Sequence, residues 1–168
     1  RFRLHRSLRR VVQRFRASAG CEIRINSAFN AVIAACAGAT RQGQSGTWIG
    51  PQIRHAYGAL HRAGHAFSVE TWIDGELRAG LYGVTIGRAV FGESMFTQVT
   101  DGSKIALAAL IALCRAQGLP LIDCQQNTRH LAFMGAAEMP RAEFTSAVGQ
   151  LVHQPPRAGT SSPYTGTH

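Results

Sequence analysis

The sequence has almost no lysine, few acidic residues and no long apolar run. Its 168 residues include one lysine, Lys104, and nine acids, so its net charge of +9 is carried by arginine. No run approaches 18 uncharged apolar residues, which argues against a transmembrane helix. The basic start is not followed by the apolar stretch of a secretory signal. The composition therefore predicts one globular domain with no membrane partner.

Cysteine and histidine are scattered rather than clustered. The four cysteines (Cys21, Cys36, Cys114 and Cys124) form no CxxC pair, and the seven histidines form no HxxxH motif. This spacing does not indicate a zinc site. Cys36 and Cys114 lie in apolar runs, where a free cysteine behaves as a small hydrophobic residue. We therefore expect a reduced, cytoplasmic protein that holds no metal.

Positive charge is concentrated at the start of the chain. The first sixteen residues contain seven arginines and no acid, whereas the remainder has eleven basic and nine acidic residues. This asymmetry indicates a polyanionic partner at one end. On a helical wheel, one face is apolar and the other is basic, with Leu8, Val11, Val12 and Phe15 opposite Arg6, Arg9, Arg10 and Arg14. The stripe of Arg6, Arg10 and Arg14 repeats every four residues and can contact successive phosphates. A solvated charged face is the alternative.

The middle of the chain reads as strands joined by short turns. Alternating or apolar runs predict strands at Cys21–Ile25, Ala66–Ile73, Glu76–Gly83 and about Ala89–Phe91. Asp74-Gly75 between two of these runs is a strong hairpin signal. An antiparallel meander is therefore predicted.

Helices flank these strands and follow them. We predict a helix after Asn26 or Ser27 as the N-cap, and a helix from Pro51 to near Gly64. A long apolar helix should run from a Ser103 cap to Gln117 with Gly118 as its C′ residue. The remaining predicted elements are a buried strand Leu119–Cys124, a short helix Thr128–Met134 and a last helix opened by Pro140. From Gln154 onward the composition predicts a disordered tail.

A meander followed by a capped helix, a strand and a helix predicts an α/β fold of the GNAT-like type. Such a fold has a mixed, largely antiparallel sheet flanked by helices. Acetyltransferases of this type bind coenzyme A pyrophosphate through a glycine-rich turn before the central helix. Here that turn spans residues 97–103 and contains one glycine and an acid. Coenzyme A is therefore disfavoured, and no cofactor is predicted.

Three segments place a carboxylate in or beside a run that reads as buried strand. They are Ser68–Trp72, Phe91–Phe96 and Leu121–Gln125. Burial of an unpaired carboxylate is costly, so the three together indicate a polar site in an apolar cleft. From about Arg6 to about Phe144, the order of these segments and their amino-acid sequences resemble those of the leucyl/phenylalanyl-tRNA–protein transferases.

The resemblance implies a domain organisation. Members of that family usually carry a further small N-terminal domain, so we expect this chain to be a fragment. We divide it into a basic amphipathic linker helix (1–18), a GNAT-like aminoacyltransferase domain (19–153) and a disordered tail (154–168).

Two of the implied reaction-centre residues are Asp123 and Gln125. Residues two apart on a strand face the same side, so both side chains point into one space. The resemblance implies aminolysis of an ester, in which a protein N-terminal amine attacks the carbonyl that links an amino acid to tRNA. The Gln125 carbonyl can accept a hydrogen bond from the amine, and Asp123 can orient Gln125 or collect positive charge. A strand end that caps a neighbouring helix is the structural alternative.

The resemblance also implies substrate contacts. Glu93 lies beside the aminoacyl group and can hold an ammonium group of either substrate, and Glu70 is a weaker candidate. Trp48 matches a tryptophan near the terminal adenosine, where it can stack on the base. The apolar pocket for the amino acid side chain matches Leu81, Val90, Leu110, Cys114 and Ile122. Each of these can equally be core. For Lys104, in the first turn of a helix, a phosphate or an intramolecular carboxylate is expected nearby.

These expectations combine into one function. The resemblance implies transfer of Leu, Phe or Met from aminoacyl-tRNA to proteins that begin with Arg or Lys, as in the bacterial N-degron pathway. In that view, Arg6, Arg9, Arg10 and Arg14 bind the acceptor stem, and the enzyme is a monomer. Two alternatives are an acyl-CoA-dependent N-acetyltransferase and a truncated RNA-binding module without catalysis.

Overall fold

The computed structural model describes residues 5–39, 49–123 and 141–155. In these ranges, the helices are α1 (Arg6–Ala17), α2 (Phe29–Gly38), α3 (Pro51–Arg62), α4 (Gly102–Ala116) and α5 (Arg141–Val152). The strands are β1 (Cys21–Ile25), β2 (Ala66–Ile73), β3 (Glu76–Ile86), β4 (Ala89–Thr97) and β5 (Leu121–Asp123). None of the described helices is long and apolar enough to cross a membrane.

The five strands form one sheet in chain order, β1-β2-β3-β4-β5. The first four strands pair antiparallel, and β5 pairs parallel to β4. A parallel neighbour requires a crossover connection, which α4 supplies between β4 and β5. The predicted mixed, largely antiparallel sheet flanked by helices is therefore confirmed.

Local turn signals are confirmed at two sites. Asp74 and Gly75 both have positive φ (52° and 76°), as a primed hairpin turn between β2 and β3 requires. Gly118 also has positive φ, and its N–H donates to the carbonyl of Arg115 while the Leu119 N–H donates to Cys114. These two bonds form the Schellman motif that ends α4.

Two apolar clusters cover the two faces of the sheet. The first lies under α1 and α4 and includes Leu8, Phe67, Val69, Leu81, Val90, Leu110, Ile111 and Cys114. The second lies under α2 and α3 and includes Phe29, Val32, Ile33, Ala66, Tyr82 and Phe96. Alternate strand residues point to opposite faces, so β2 and β3 supply both clusters.

Three sequence predictions are corrected by the structure. The second and third meander strands are longer than predicted, because β3 continues past Gly83 to Ile86 and β4 continues past Phe91 to Thr97. Ser103 does not cap α4, since Asp101 is the N-cap residue at φ 62°. A Cβ on Gly102 would lie 2.7 Å from the Ala79 Cβ, so the chain approaches the sheet here as only glycine allows. Ser103 falls in the first turn of α4.

The third correction concerns α2. Neither Asn26 nor Ser27 is its N-cap residue, because the helix starts at Phe29 with Ala28 as the cap. Asn26 instead has a positive φ of 59° and accepts a hydrogen bond from the Ser68 N–H at 3.0 Å.

The predicted strand Leu119–Cys124 starts two residues later than expected, since β5 begins at Leu121 and is described up to Asp123. Cys124 lies outside the described residues. The predicted helix Thr128–Met134 and most of the predicted tail lie outside the described residues.

Candidate functional site

Helix α1 has an apolar face against the domain and a basic face in solvent. Leu8 and Phe15 are buried, and Val11 and Val12 pack against the first cluster. The helix contains no acidic residue, and all of its arginines are exposed, namely Arg6, Arg9, Arg10, Arg14 and Arg16. In the described part of the chain, the ion pairs involve Arg24, Arg78 and Lys104, so none neutralises this face. The predicted amphipathic helix is confirmed, and its contact with tRNA stays a prediction.

Glu93 occupies a β-bulge in β4. Tyr82 pairs with Ser94, but the next residue of β3, Gly83, pairs with Gly92, which leaves Glu93 as an extra residue. A bulge re-aims the side chains beside it, and bulges are common next to active sites. The bulge therefore sets the direction of the half-buried Glu93 side chain.

Glu93 lies close to Tyr57 of α3. The Tyr57 ring packs edge-on against Tyr82, with centroids 5.2 Å apart, and Tyr82 pairs with Ser94, the residue after Glu93. Burial, followed by the charge of the nearby Glu93, raises the pKa of Tyr57 above its ordinary value. Tyr57 is therefore a protonated donor throughout the physiological range of pH, and Glu93 lies on the face of the sheet covered by α3.

Asp123 ends the described part of β5 and is half-buried. It pairs with Phe91, two residues before Glu93 on the neighbouring strand. Ile122 packs against the first cluster, so alternation along β5 places Asp123 on the other face of the sheet, the face of Tyr57 and Glu93. Two residues of strand correspond to about 7 Å. The structure thus brings the two predicted acids to neighbouring positions.

The five residues predicted to form the apolar pocket belong to one cluster. Leu81, Val90, Leu110 and Cys114 are at most 2% exposed, and Ile122 is packed against them. They lie between the sheet and α4, on the face opposite Glu93. The structure brings them together, and their contact with a ligand stays a prediction. Trp48 and Gln125 lie outside the described residues.

Glu70, the weaker candidate for cation binding, has a different environment. Its side chain is fully buried (0% exposed), and its carboxylate accepts four hydrogen bonds. The donors are the Ser27 hydroxyl, the Ala28 N–H (2.8 Å), the Ser68 hydroxyl (2.8 Å) and the Trp72 indole N–H (2.8 Å). Ala28 is the N-cap residue of α2, so Glu70 places negative charge at the positive end of that helix. It fastens α2 to β2.

The N-terminus of α4 is occupied by the chain itself. The Asp101 carboxylate forms an ion pair with Lys104, with Oδ1 and Nζ 3.2 Å apart, so Lys104 has the intramolecular carboxylate that was one of its two expected partners. The hydroxyl of Thr71 donates to the Gly102 carbonyl at 2.9 Å. An acid at the cap position disfavours a bound phosphate there. Among the described residues, no group of three potential metal ligands occurs.

Sequence reasoning missed Tyr57. Its spacing on α3 is that of an ordinary core aromatic, one turn before His61. Its proximity to Glu93 depends on the bulge in β4, which no local sequence pattern predicts. The only available signal was the pair of aromatic rings at positions i and i+4, which indicates a packed helix face.

Two solved N-acetyltransferase structures are similar to the chain. The ribosomal-protein-alanine N-acetyltransferase from Brucella melitensis biovar Abortus is 10% identical with a TM-score of 0.48, over 71% of this chain and 95% of that one. An aminoglycoside N-acetyltransferase is 14% identical with a TM-score of 0.43, over 80% of this chain and 87% of that one.

Sequence relatives are much closer. A leucyl/phenylalanyl-tRNA–protein transferase of Polaromonas sp. is 57% identical over 154 residues, 92% of this chain and 60% of the relative. One of Albidiferax ferrireducens is 61% identical over 143 residues, 85% of this chain and 56% of the relative. The chain therefore spans little more than half the length of these relatives. The family described as leucyl/phenylalanyl-tRNA protein transferase matches residues 1–149, including α1, the bulge at Glu93 and Asp123. With that match over most of its length, the chain belongs to the leucyl/phenylalanyl-tRNA protein transferase family.

Proposed function

We propose that this chain is the aminoacyltransferase part of an enzyme that moves Leu, Phe or Met from aminoacyl-tRNA to the N-terminus of a protein. The observation that carries the proposal is the family match over residues 1–149, which includes the basic helix and both acids. The acceptors would be proteins that begin with Arg or Lys, because acids in the site suit a cationic residue. The enzyme would act as a cytoplasmic monomer in the N-degron pathway.

The reaction would be aminolysis of an ester. The neutral N-terminal amine attacks the ester carbonyl carbon, a C–N bond forms, and the bond from that carbon to the ribose oxygen breaks. The amine must lose a proton, and the ribose oxygen must gain one. An N-terminal amine has a pKa of about 7.7–8.0, so part of it is already neutral near neutral pH. Positioning therefore supplies most of what the reaction needs.

Each site residue would have a distinct role in this reaction. Gln125 would accept a hydrogen bond from the amine, and Asp123 would orient Gln125 or collect the positive charge as the proton leaves. Glu93 would hold a substrate ammonium group. Trp48 would stack on the terminal adenosine. The amino acid side chain would enter the pocket formed by Leu81, Val90, Leu110, Cys114 and Ile122. This cluster lies on the face of the sheet opposite Glu93, and four of its members are at most 2% exposed, so the pocket would have to open and the aminoacyl ester would have to reach both faces.

Transfer of radiolabelled leucine from Leu-tRNA to a peptide that begins with Arg tests the proposal. We expect the parent chain to transfer leucine and the Asp123→Ala variant to lose at least tenfold in rate, as expected on removal of a group that assists proton transfer. Glu22→Ala, which removes an exposed carboxylate from β1, is the control and should keep the parent rate. Equal rates for the parent and Asp123→Ala would contradict the role of Asp123.

A second candidate function is RNA binding without catalysis. It is supported by the exposed arginines of α1, a helix that contains no acidic residue. Salt-sensitive tRNA binding by a parent chain that transfers no leucine would establish it. The acyl-CoA alternative is not favoured, because Asp101 and Lys104 occupy the α4 N-terminus.

The basic face of α1 leads to a separate prediction about tRNA binding. Replacing Arg6, Arg10 and Arg14 together by alanine should weaken tRNA binding and flatten its dependence on salt, by roughly one unit of log–log slope for each lost phosphate contact. Binding measured by filter retention at several KCl concentrations gives the slope. Arg115→Ala, which removes an exposed arginine from the last turn of α4, is the matched control. A triple variant with the slope of the control would exclude α1 from the RNA interface.

A further inference from the structure

The turn between β3 and β4 lies against the end of α5. Gly87 in this turn has a positive φ of 58°, and a Cβ on it would overlap the Leu151 carbonyl oxygen and lie 2.5 Å from that of Val152. Both residues belong to the last turn of α5, so the helix approaches the turn as closely as only glycine allows. The next residue, Arg88, donates its backbone N–H to the Leu151 carbonyl at 3.0 Å.

The Arg88 side chain joins α5 to the end of α4. Its Nη2 donates to the carbonyl of Gly118, the C′ residue of α4, and its Nη1 donates to the side-chain oxygen of Gln154 at 3.0 Å. Gln154 follows the last residue of α5 by two positions. The last carbonyls of a helix have no partner within it and carry partial negative charge, so a cation with several donors is favourable there. Arg88 supplies such a group to two helix ends at once.

Strand β5 has few contacts of its own that fix its register. It is three residues long, and in the described sheet it pairs with β4 alone, with Leu121 opposite Ala89. A shift of one residue would turn Asp123 to the other face of the sheet, and a shift of two would move it by about 7 Å. Gly118 precedes β5 by three residues, and Arg88 directly precedes Ala89. The bond between Arg88 and Gly118 therefore joins the chain that enters β5 to the start of β4.

We infer that Arg88 is a positioning residue for Asp123, and that it fixes the register of β5 beside β4 by joining the ends of α4 and α5. This inference rests on the proposed function, in which Asp123 acts on the attacking amine. Arginine suits the task because its planar guanidinium holds several donors in fixed directions, whereas a lysine ammonium is a compact charge on a flexible stem. Among the described residues, no ion pair includes Arg88, so its charge is directed to the two helix ends.

A surface arginine that only covers the turn is the competing explanation, because polar contacts at the surface often contribute little. Two variants separate the explanations. Arg88→Met keeps an aliphatic stem and removes the donors and the charge, and Arg88→Lys keeps the charge and removes the forked donors. Both keep the backbone bond to Leu151. Arg78→Met is the matched control, since Arg78 is a partly exposed arginine near the other end of the β3–β4 pair and its side chain bonds Glu76.

Amide hydrogen exchange, followed by NMR on the folded chain, tests the role of Arg88 without requiring activity. In Arg88→Met, the amides of residues 119–123 should exchange about tenfold faster than in the parent, while those of β2 keep the parent rate. Arg88→Lys should lie within about threefold of Arg88→Met, and Arg78→Met should match the parent. Unchanged exchange at residues 119–123 in Arg88→Met, or full protection in Arg88→Lys, would overturn the inference.

The consequence for catalysis is tested by a double-mutant cycle on leucine transfer. Arg88→Met should lower kcat about tenfold and change the KM for Leu-tRNA less than about twofold, because Asp123 acts on the amine rather than on the tRNA. In the Asp123→Ala background, the same change should have less than about a twofold effect on kcat. An equal loss in both backgrounds would exclude the positioning role even if hydrogen exchange changes as expected. A parent chain without transfer activity would refute the proposed function, and hydrogen exchange would still decide whether Arg88 holds β5.

Discussion

Replacement of Glu70 by alanine should lower the free energy of unfolding by about 3–5 kcal/mol, because four donors lose one fully buried acceptor at once. The donors come from β2 and from the start of α2, so the change loosens a helix as well as a strand. Such a loss is a large part of the stability of an ordinary domain, which is about 5–15 kcal/mol. Urea denaturation followed by circular dichroism measures it.

Glu22 provides a control for this prediction. It lies on β1, the strand next to β2, but its carboxylate is exposed and pairs with Arg24 at the surface. Exposed ion pairs contribute about 0–1 kcal/mol, so Glu22→Ala should be nearly neutral. If Glu70→Ala and Glu22→Ala destabilise equally, Glu70 does not fasten α2 to the sheet.

Gly83→Ala should destabilise the chain by about 3 kcal/mol, the upper part of the range for overpacked sites. A Cβ at this position would overlap the Phe91 carbonyl oxygen and lie 2.9 Å from the Phe67 Cζ. The Phe91 oxygen belongs to the backbone, so it cannot move away from the added Cβ without disturbing β4. Because Gly83 pairs with Gly92 beside the bulge, the same change should also displace Glu93.

Gly58→Ala is the matched control. Gly58 is also buried, but the nearest atom to its added Cβ is the Arg62 Nη1 at 3.5 Å, which is the mobile end of a side chain. Alanine is favoured over glycine inside a helix by up to about 1 kcal/mol, so this variant should be as stable as the parent or more so. A Gly83→Ala variant that matches Gly58→Ala in urea denaturation would disprove the close approach of β3 and β4.

Features that a few consecutive residues encode could be predicted from the sequence. The hairpin at Asp74-Gly75 and the C′ glycine at Gly118 are examples, because positive φ is demanded locally and few residues tolerate it. The amphipathic helix α1 could also be predicted, because the spacing of its apolar residues matches the helical repeat.

Features that depend on distant residues could not be predicted in this way. The cap of α2 comes from Glu70, 42 residues after Ala28, and no pattern near the helix shows it. The length of β4 was underestimated because Gly92, Glu93 and Ser94 are weak strand formers. That segment is held by pairing with β3, and tertiary context overrides its local preference.

The residues of the candidate site also differ in whether the sequence alone could predict them. Carboxylates in apolar runs pointed to Glu70, Glu93 and Asp123 alike, and the family resemblance then predicted roles for Glu93 and Asp123. Tyr57 was not identified, because an aromatic residue at helical spacing is normally core. Tyr57 comes close to Glu93 only when the sheet and α3 are assembled, so their proximity is a property of the fold rather than of any segment.

The anchoring of α1 by Leu8 and Phe15 has a thermodynamic consequence for any polyanion that meets its basic face. An arginine-rich arm that is unfolded when free loses about 1–2 kcal/mol of backbone conformational entropy per residue as it orders on its target. In α1, twelve residues are already helical before any encounter. The basic stripe is therefore preorganised, and association is opposed mainly by the immobilisation of exposed arginine side chains rather than by folding of the segment that carries them.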